Sequence, residues 1–169
     1  MISGKSVLGL IPARGGSKRV PGKNRRLFRG IPLLQLAFNE ARKSKYLDLV
    51  IVSTDSQEIA TLCRLFHIPI LMRPADLATD SATSQSVALH ALSEYPADLL
   101  CLLQPTSPFR TAADIDYCIE QAPCISYLMD RKNGAVYVTA QDCNFEGPHQ
   151  RYFMPESRSL DIDTEADFQ

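Results

Sequence analysis

A chain of 169 residues, 45% of them hydrophobic, can bury one core and leaves little room for a further module. Its 18 Lys and Arg balance 19 Asp and Glu, so no long-range field favours nucleic acid or an anionic membrane, and any anion site must be local. No apolar run approaches the roughly 18 residues of a membrane span, and the short stretch before Pro12 is no signal sequence, so the chain is expected to be soluble and cytoplasmic.

Val7 to Ile11 is a short continuous apolar run closed by Pro12 and a Gly- and Lys-rich segment, the pattern of a buried parallel strand feeding a loop. From Pro32 to Lys45 the apolar positions Leu33, Leu34, Leu36, Ala37 and Ala41 predict an amphipathic helix opened by proline. Leu49 to Val52 is a second strand, and Asp55 or Ser56 is placed to cap a helix from Gln57 to Phe66. A strand from His67 to Met72, a helix from Ser84 to Glu94, a strand from Asp98 to Leu103 and a helix capped by Thr111 and running to Ile119 follow. Beyond Cys118 the runs Ile125 to Met129, Gly134 to Thr139 and Tyr152 to Met154 read as further strands at one edge of a mixed sheet. Strands separated by helices imply right-handed crossovers, hence an α/β, three-layer, Rossmann-like fold with a mostly parallel mixed sheet over residues 1–169 as one domain. In such sheets ligands bind beyond the carboxyl ends of the strands, and the polar segments 13–24, 53–55 and 104–111 all fall on that edge.

The loop after the first strand carries Gly15 and Gly16, which let backbone N–H groups approach an anion, and four cations, Arg14, Lys18, Arg19 and Lys23. Arginine forks onto phosphate oxygens while lysine acts as a mobile point charge, a mixture suited to a polyphosphate. The loop has neither the Walker spacing nor the dinucleotide GxGxxG turn, and a solvated basic turn is the alternative that spacing alone leaves open. In Ser159-Leu160-Asp161-Ile162-Asp163-Thr164, alternate carboxylates on an extended segment face one side, where two hard oxygen ligands can hold magnesium; a solvated edge tip is the alternative. Gln104 to Thr111 and Arg73 to Ser84 place further polar groups on the ligand edge, or simply form turns and helix caps. The five cysteines form no CxxC pair and read as reduced, buried thiols, and His67, His90 and His149 share no spacing that suggests a base.

The segments IPARGGSKRVPGKN, IVSTD, RPADLATDSATS, LLQPTSPFRT, NGAVYVT and SLDIDTEADF resemble, in order, the acylneuraminate cytidylyltransferases, and together cover nearly the whole chain. The resemblance implies transfer of CMP from CTP to the anomeric hydroxyl of a nonulosonic acid, an acidic nine-carbon sugar, with release of pyrophosphate and dependence on Mg2+. It implies that Ala13, Arg14, Gly15, Gly16, Ser17, Lys18 and Lys23 bind the nucleotide phosphates, with Asn24 beside them contacting the nucleotide and Arg73, Ala82 and Ser84 on the cytosine and ribose side. It matches Gln104 and Arg131 to sugar contacts and Asp161 and Asp163 to the metal carboxylates, with Arg14, Lys23 and Asp161 as the catalytic set and Asp161 as the base. Relatives dimerise through a long excursion that is shortened here around residues 120–132. A homodimer or other homo-oligomer is therefore one expectation, and a catalytically impaired CTP-binding remnant or regulatory module is the alternative function.

Overall fold

The computed structural model describes residues 1–17 and 19–169, so the expectation for Lys18 lies outside the described residues. Strand β1 (Val7–Pro12) leads into the basic loop, after which β2 (Leu27–Phe28) and β3 (Ile31–Pro32) form a small hairpin and α1 (Leu33–Ala41) begins. Then come β4 (Leu49–Thr54), α2 (Gln57–Leu65), β5 (Ile70–Met72), α3 (Ser84–Glu94), β6 (Leu99–Leu102), α4 (Ala112–Glu120), β7 (Cys124–Leu128), β8 (Arg131–Ala140) and β9 (Gln150–Phe153). The main sheet has the order β5-β4-β1-β6-β8-β7-β9. β5, β4, β1 and β6 run parallel, β8 pairs antiparallel with both β6 and β7, and β9 returns parallel to β7.

Alternation along the parallel strands divides the core in two. Val7 and Ile11 of β1, with Leu99 and Cys101 of β6, pack against Leu34 and Ala37 of α1, Ile59 of α2 and Ile115 of α4. Leu8 and Leu10, with Leu100 and Leu102, face Val87, Ala88 and Ala91 of α3. Both faces of the sheet are thus covered, which explains why these strands read as continuous apolar runs. This is the expected three-layer fold with a mostly parallel mixed sheet. All five cysteines are free and buried, and burial pushes the Cys101 thiol up to about 12.

The element bounds differ from the sequence expectation in three instructive places. α1 ends at Ala41 rather than Lys45, and the Ser44 hydroxyl beyond it donates to Asp116 of α4 at 2.5 Å. β5 starts at Ile70 because His67 has φ 54°, and the Ile68 N–H closes back on the Cys63 carbonyl of α2 at 2.8 Å. The hairpin β2–β3 was not anticipated; Arg29 and Gly30, with φ of 50° and 83°, form its two-residue turn. It carries Phe28 onto Leu33 and Ile162, in a third cluster that anchors the C-terminal segment below the basic loop. Between β7 and β8 the chain turns through Met129 and Asp130 alone, Leu128 pairing with Arg131 where the resemblance expects a long excursion.

Candidate functional site

The basic loop leaves the buried end of β1 at Ala13, whose N–H donates to the Ser53 carbonyl at the end of β4 at 2.9 Å. Gly15 then passes over the start of α2, and its N–H donates to Asp55 Oδ1 at 2.9 Å. A Cβ on Gly15 would lie 2.8 Å from Ser56 Cβ, so the close approach requires glycine there. Of the two residues placed to cap α2, Ser56 does so, accepting from the Ile59 N–H at 3.3 Å, and this leaves Asp55 to hold the loop. Gly16 is exposed and Ser17 half-buried, while Arg19 reaches Asp163 as an ion pair.

Arg14, Lys23, Asn24, Arg73, Ala82, Ser84 and Gln104 line one cleft of ≈ 240 Å³ with Pro12, Thr83 and Thr106. These residues come from three sequence segments, after β1, β5 and β6, that meet only because the carboxyl ends of the parallel strands share an edge. Asn24 is buried and donates to the Arg14 carbonyl at 3.1 Å, fixing the backbone from which Arg14 projects toward Asp80 Oδ1 at 2.7 Å. Arg73 is buried too, and its guanidinium forks onto the Ser53 carbonyl at 2.9 Å and the Ser53 hydroxyl at 3.2 Å. Burial lowers its pKa, against the opposing charge of Asp55. Arg73 therefore orders the end of β4 as well as lining the cleft.

Among the described cations of the loop Lys23 is the most confined, donating to the Ile162 carbonyl at 3.0 Å and standing 3.5 Å from Asp163 Oδ1. Burial lowers its pKa, only partly countered by the charge of Asp161. Both carboxylates thus act on Lys23, Asp163 by contact and Asp161 through its field. Ile162 between them is fully buried and donates its N–H to the Thr106 carbonyl at 2.8 Å, so an apolar anchor holds the segment of the two acids beside Lys23 and Thr106 of the cleft wall. No group of three or more metal-ligating side chains occurs among the described residues. Two aspartates suit Mg2+ nonetheless, because that ion takes one or two carboxylates and completes its shell with phosphate oxygens and water.

Gln104 also lines a second cavity, of ≈ 380 Å³, on the β8 side. There Tyr137 and Phe145 meet edge to face at 5.8 Å between ring centroids, with Ser84, Gln85, Asn144 and Lys132 around the rim. Ser84 and Gln104 belong to both compartments. Sequence reasoning missed Tyr137, Phe145 and Lys132; the available signal was an aromatic in the NGAVYVT strand beside the Gln104 strand. Arg131 stands apart, exposed in a third cavity with Asp161, Asn133 and Ser159, so the two residues assigned to the sugar line different cavities.

Behind Gln104, Arg110 is fully buried and its Nη1 donates to the carbonyls of Gln104 at 3.0 Å and Ala135 at 2.6 Å, clamping the end of β6 to β8. Burial lowers its pKa to about 10. Gly134, at φ 78°, would place a Cβ 3.5 Å from Gln104 Oε1, so the Gln104 amide lies directly over the β8 backbone.

Among relatives, the N-acylneuraminate cytidylyltransferase of Escherichia coli O18:K1:H7 is 40% identical over 110 residues, covering 64% of this chain and 26% of that protein. The CMP-N,N'-diacetyllegionaminic acid synthase of Legionella pneumophila is 38% identical over 120 residues, 68% of this chain and 52% of that protein. This chain therefore spans between about a quarter and half of the length of these relatives. A cytidylyltransferase structure from Leptospira borgpetersenii shares the fold at TM-score 0.71 and 18% identity, over 96% of this chain and 83% of that one. The sequence profile of the cytidylyltransferases matches residues 8–136, which include the basic loop, the Arg73 to Ser84 segment and the Gln104 turn. This chain belongs to the cytidylyltransferase family.

Proposed function

We propose that this chain transfers CMP from CTP to the anomeric hydroxyl of a nonulosonic acid. The observation that carries the reading is the cleft in which Arg14, Lys23, Asn24, Arg73, Ser84 and Gln104 meet from three segments. Arg14, Lys23 and the Gly15–Ser17 backbone hold the triphosphate, and Arg73, Ala82 and Ser84 receive the ribose and base. The acceptor lies against Tyr137 and Phe145, an apolar wall for the sugar's C–H face with polar groups around it. The anomeric oxygen attacks the α-phosphorus, the bond to the bridging oxygen breaks, and pyrophosphate leaves toward Lys23. Asp161 accepts the hydroxyl proton. Asp161 and Asp163 are the residues that would hold Mg2+, which supplies charge neutralisation at the phosphates when bound.

N-acylneuraminate and diacetyllegionaminate occur in the names of the relatives at 38–40% identity and 3-deoxy-manno-octulosonate in one at 34%, which supports an acidic sugar as acceptor. The test is pyrophosphate release from CTP and Mg2+ with N-acetylneuraminic, legionaminic and pseudaminic acids in turn. Turnover with one of them is expected, lowered by about 10²–10³-fold in Asp161→Ala with secondary structure intact. CTP binding without turnover on any acid would overturn the reading in favour of a regulatory module.

A further inference from the structure

The second cavity contains a cation that the family resemblance does not assign. Regular alternation along β8 would set Lys132 and Tyr137, five positions apart, on opposite faces. The register between β7 and β8 shifts here: Tyr127 pairs with Lys132 and Ile125 with Tyr137, so two steps on one strand face five on the other. The irregularity is fixed from within by Ser126, whose hydroxyl donates to Asn133 Oδ1 at 2.6 Å and accepts from the Val136 N–H at 2.8 Å. Lys132 and Tyr137 consequently line the same cavity, beside Gln104.

Lys132 is the one cation among the described residues lining that cavity. Its Nζ donates to the Phe145 carbonyl at 2.9 Å and to Glu146 Oε1 at 2.8 Å, which leaves one of an ammonium's three N–H donors for a ligand. The two partners differ in kind. The carbonyl is part of the cavity wall, whereas the Glu146 side chain is 87% exposed and can swing into water with little loss. The hydrogen bond from Lys132 holds Glu146 below the usual carboxylate range, so the glutamate is ionised whenever it stands there. Arg131, the neighbouring cation, lines only the cavity of Asp161, which Lys132 also borders from its other side.

We propose that Lys132 binds the carboxylate of the acidic sugar and that Glu146 is its exchangeable substitute, displaced to solvent when the acid enters. The proposal rests on the acceptor reading above and adds to it how an acid is told from a neutral sugar. A neutral acceptor gains nothing from Lys132, which stays neutralised by Glu146.

The experiment compares N-acetylneuraminic acid with its methyl ester as acceptors for the full chain, with CTP in excess and folding checked by circular dichroism. Lys132→Met is expected to raise KM for the acid roughly 10–100-fold, the equivalent of one charge-assisted hydrogen bond, with little change for the ester or for CTP. Glu146→Gln is expected to lower KM for the acid, because the competing carboxylate is gone. An unchanged KM for the acid in Lys132→Met, equal losses for acid and ester, or Glu146→Gln weakening the acid as Lys132→Met does would each overturn the proposal, the last two by showing a merely structural pair. If the wild-type chain turns over no acid, the acceptor reading has failed as catalysis, and calorimetry with acid and ester in the presence of CMP judges the subsite by itself. Preference for the acid, lost in Lys132→Met, upholds it; no preference, or no binding, refutes it.

Discussion

Adjacent glycines in the basic loop separate two requirements that a phosphate-binding turn usually confounds. Neither Gly15 nor Gly16 has a positive φ, so alanine is sterically allowed by the backbone at both, and the difference lies in what a methyl group meets. At Gly15 it meets Ser56 Cβ at 2.8 Å, where an ordinary contact needs 3.4 Å or more, and Ser56 Cα stands behind at 3.8 Å. The loop or the start of α2 must move. Overpacking of this kind costs about 1–3 kcal/mol. The movement also loosens the Ser56 cap and the Gly15 N–H bond to Asp55, worth about 1 kcal/mol or more each when lost in full. Gly15→Ala is therefore expected to lose about 2–4 kcal/mol, a fall in Tm on the order of 5–15 °C for a chain of this size. At Gly16 the methyl group meets nothing within 4 Å among the described residues, and the substitution stiffens the unfolded chain, so stability should hold or rise by up to about 1 kcal/mol. If Gly16 is where the backbone approaches phosphate, Gly16→Ala should raise the Kd for CTP by roughly tenfold with Tm unchanged. Thermal denaturation and calorimetry on the two variants give the answer. Equal destabilisation, or a silent Gly15→Ala, would refute the packing argument; unchanged CTP affinity in Gly16→Ala would refute the phosphate assignment.

Asp114 and Lys23 yield pH-dependent expectations of opposite sign. Burial pushes the Asp114 carboxyl up, but hydrogen bonds from Arg158 at 2.9 Å, Tyr152 at 2.6 Å and Thr111 outweigh it and hold it below the usual carboxylate range. Its stabilising contribution is complete above the unfolded value and is lost as pH falls through the lower folded one, so urea denaturation should show Asp114→Ala about 2–4 kcal/mol less stable at pH 7, with the gap to wild type closing in acid. A gap that persists undiminished at low pH would refute this. Lys23 has a pKa lowered mainly by burial, so the charged form opposes folding. That penalty is fully present at neutral pH and fades as pH rises through the lowered value toward 10.5. Lys23→Met should abolish pyrophosphate release while leaving Tm at pH 7 equal to or above that of wild type; a clear fall in Tm would show that its bond to the Ile162 carbonyl outweighs desolvation.

The parallel half of the fold was legible because its strands are buried on both faces and its helices carry local stop signals. α3 was expected from Ser84 to Glu94 and is found there, with Thr83 accepting from the Ser86 N–H as its cap. Thr111 likewise caps α4, through a reciprocal capping box with Asp114. The strand order was not legible, since nothing local in Arg131 to Ala140 says that this strand inserts antiparallel beside β6. The basic loop and the two C-terminal aspartates were visible as compositional clusters, and their proximity through Lys23 followed only from the fold. Lys132 could not be assigned to the Tyr137 cavity from sequence, because regular alternation gives the wrong face and the register shift that corrects it depends on a buried serine.

That antiparallel insertion also gives the site two compartments. In an all-parallel sheet the strand beside β6 would open its own loop on the same edge; here β8 runs the other way, and its first residues, Arg131 to Gly134, lie where such a loop would be. Gly134 turns the β8 backbone beside Gln104 at φ 78°, a conformation that favours glycine, and Arg110 ties the two carbonyls on either side of that contact. Gln104 is thereby held as part of a shared wall, with the Arg14 and Lys23 cleft on one side and the aromatic cavity on the other. On the proposed reaction, this wall is where the anomeric oxygen meets the α-phosphorus, so the reacting atoms are aligned by β6 and β8 of the sheet itself.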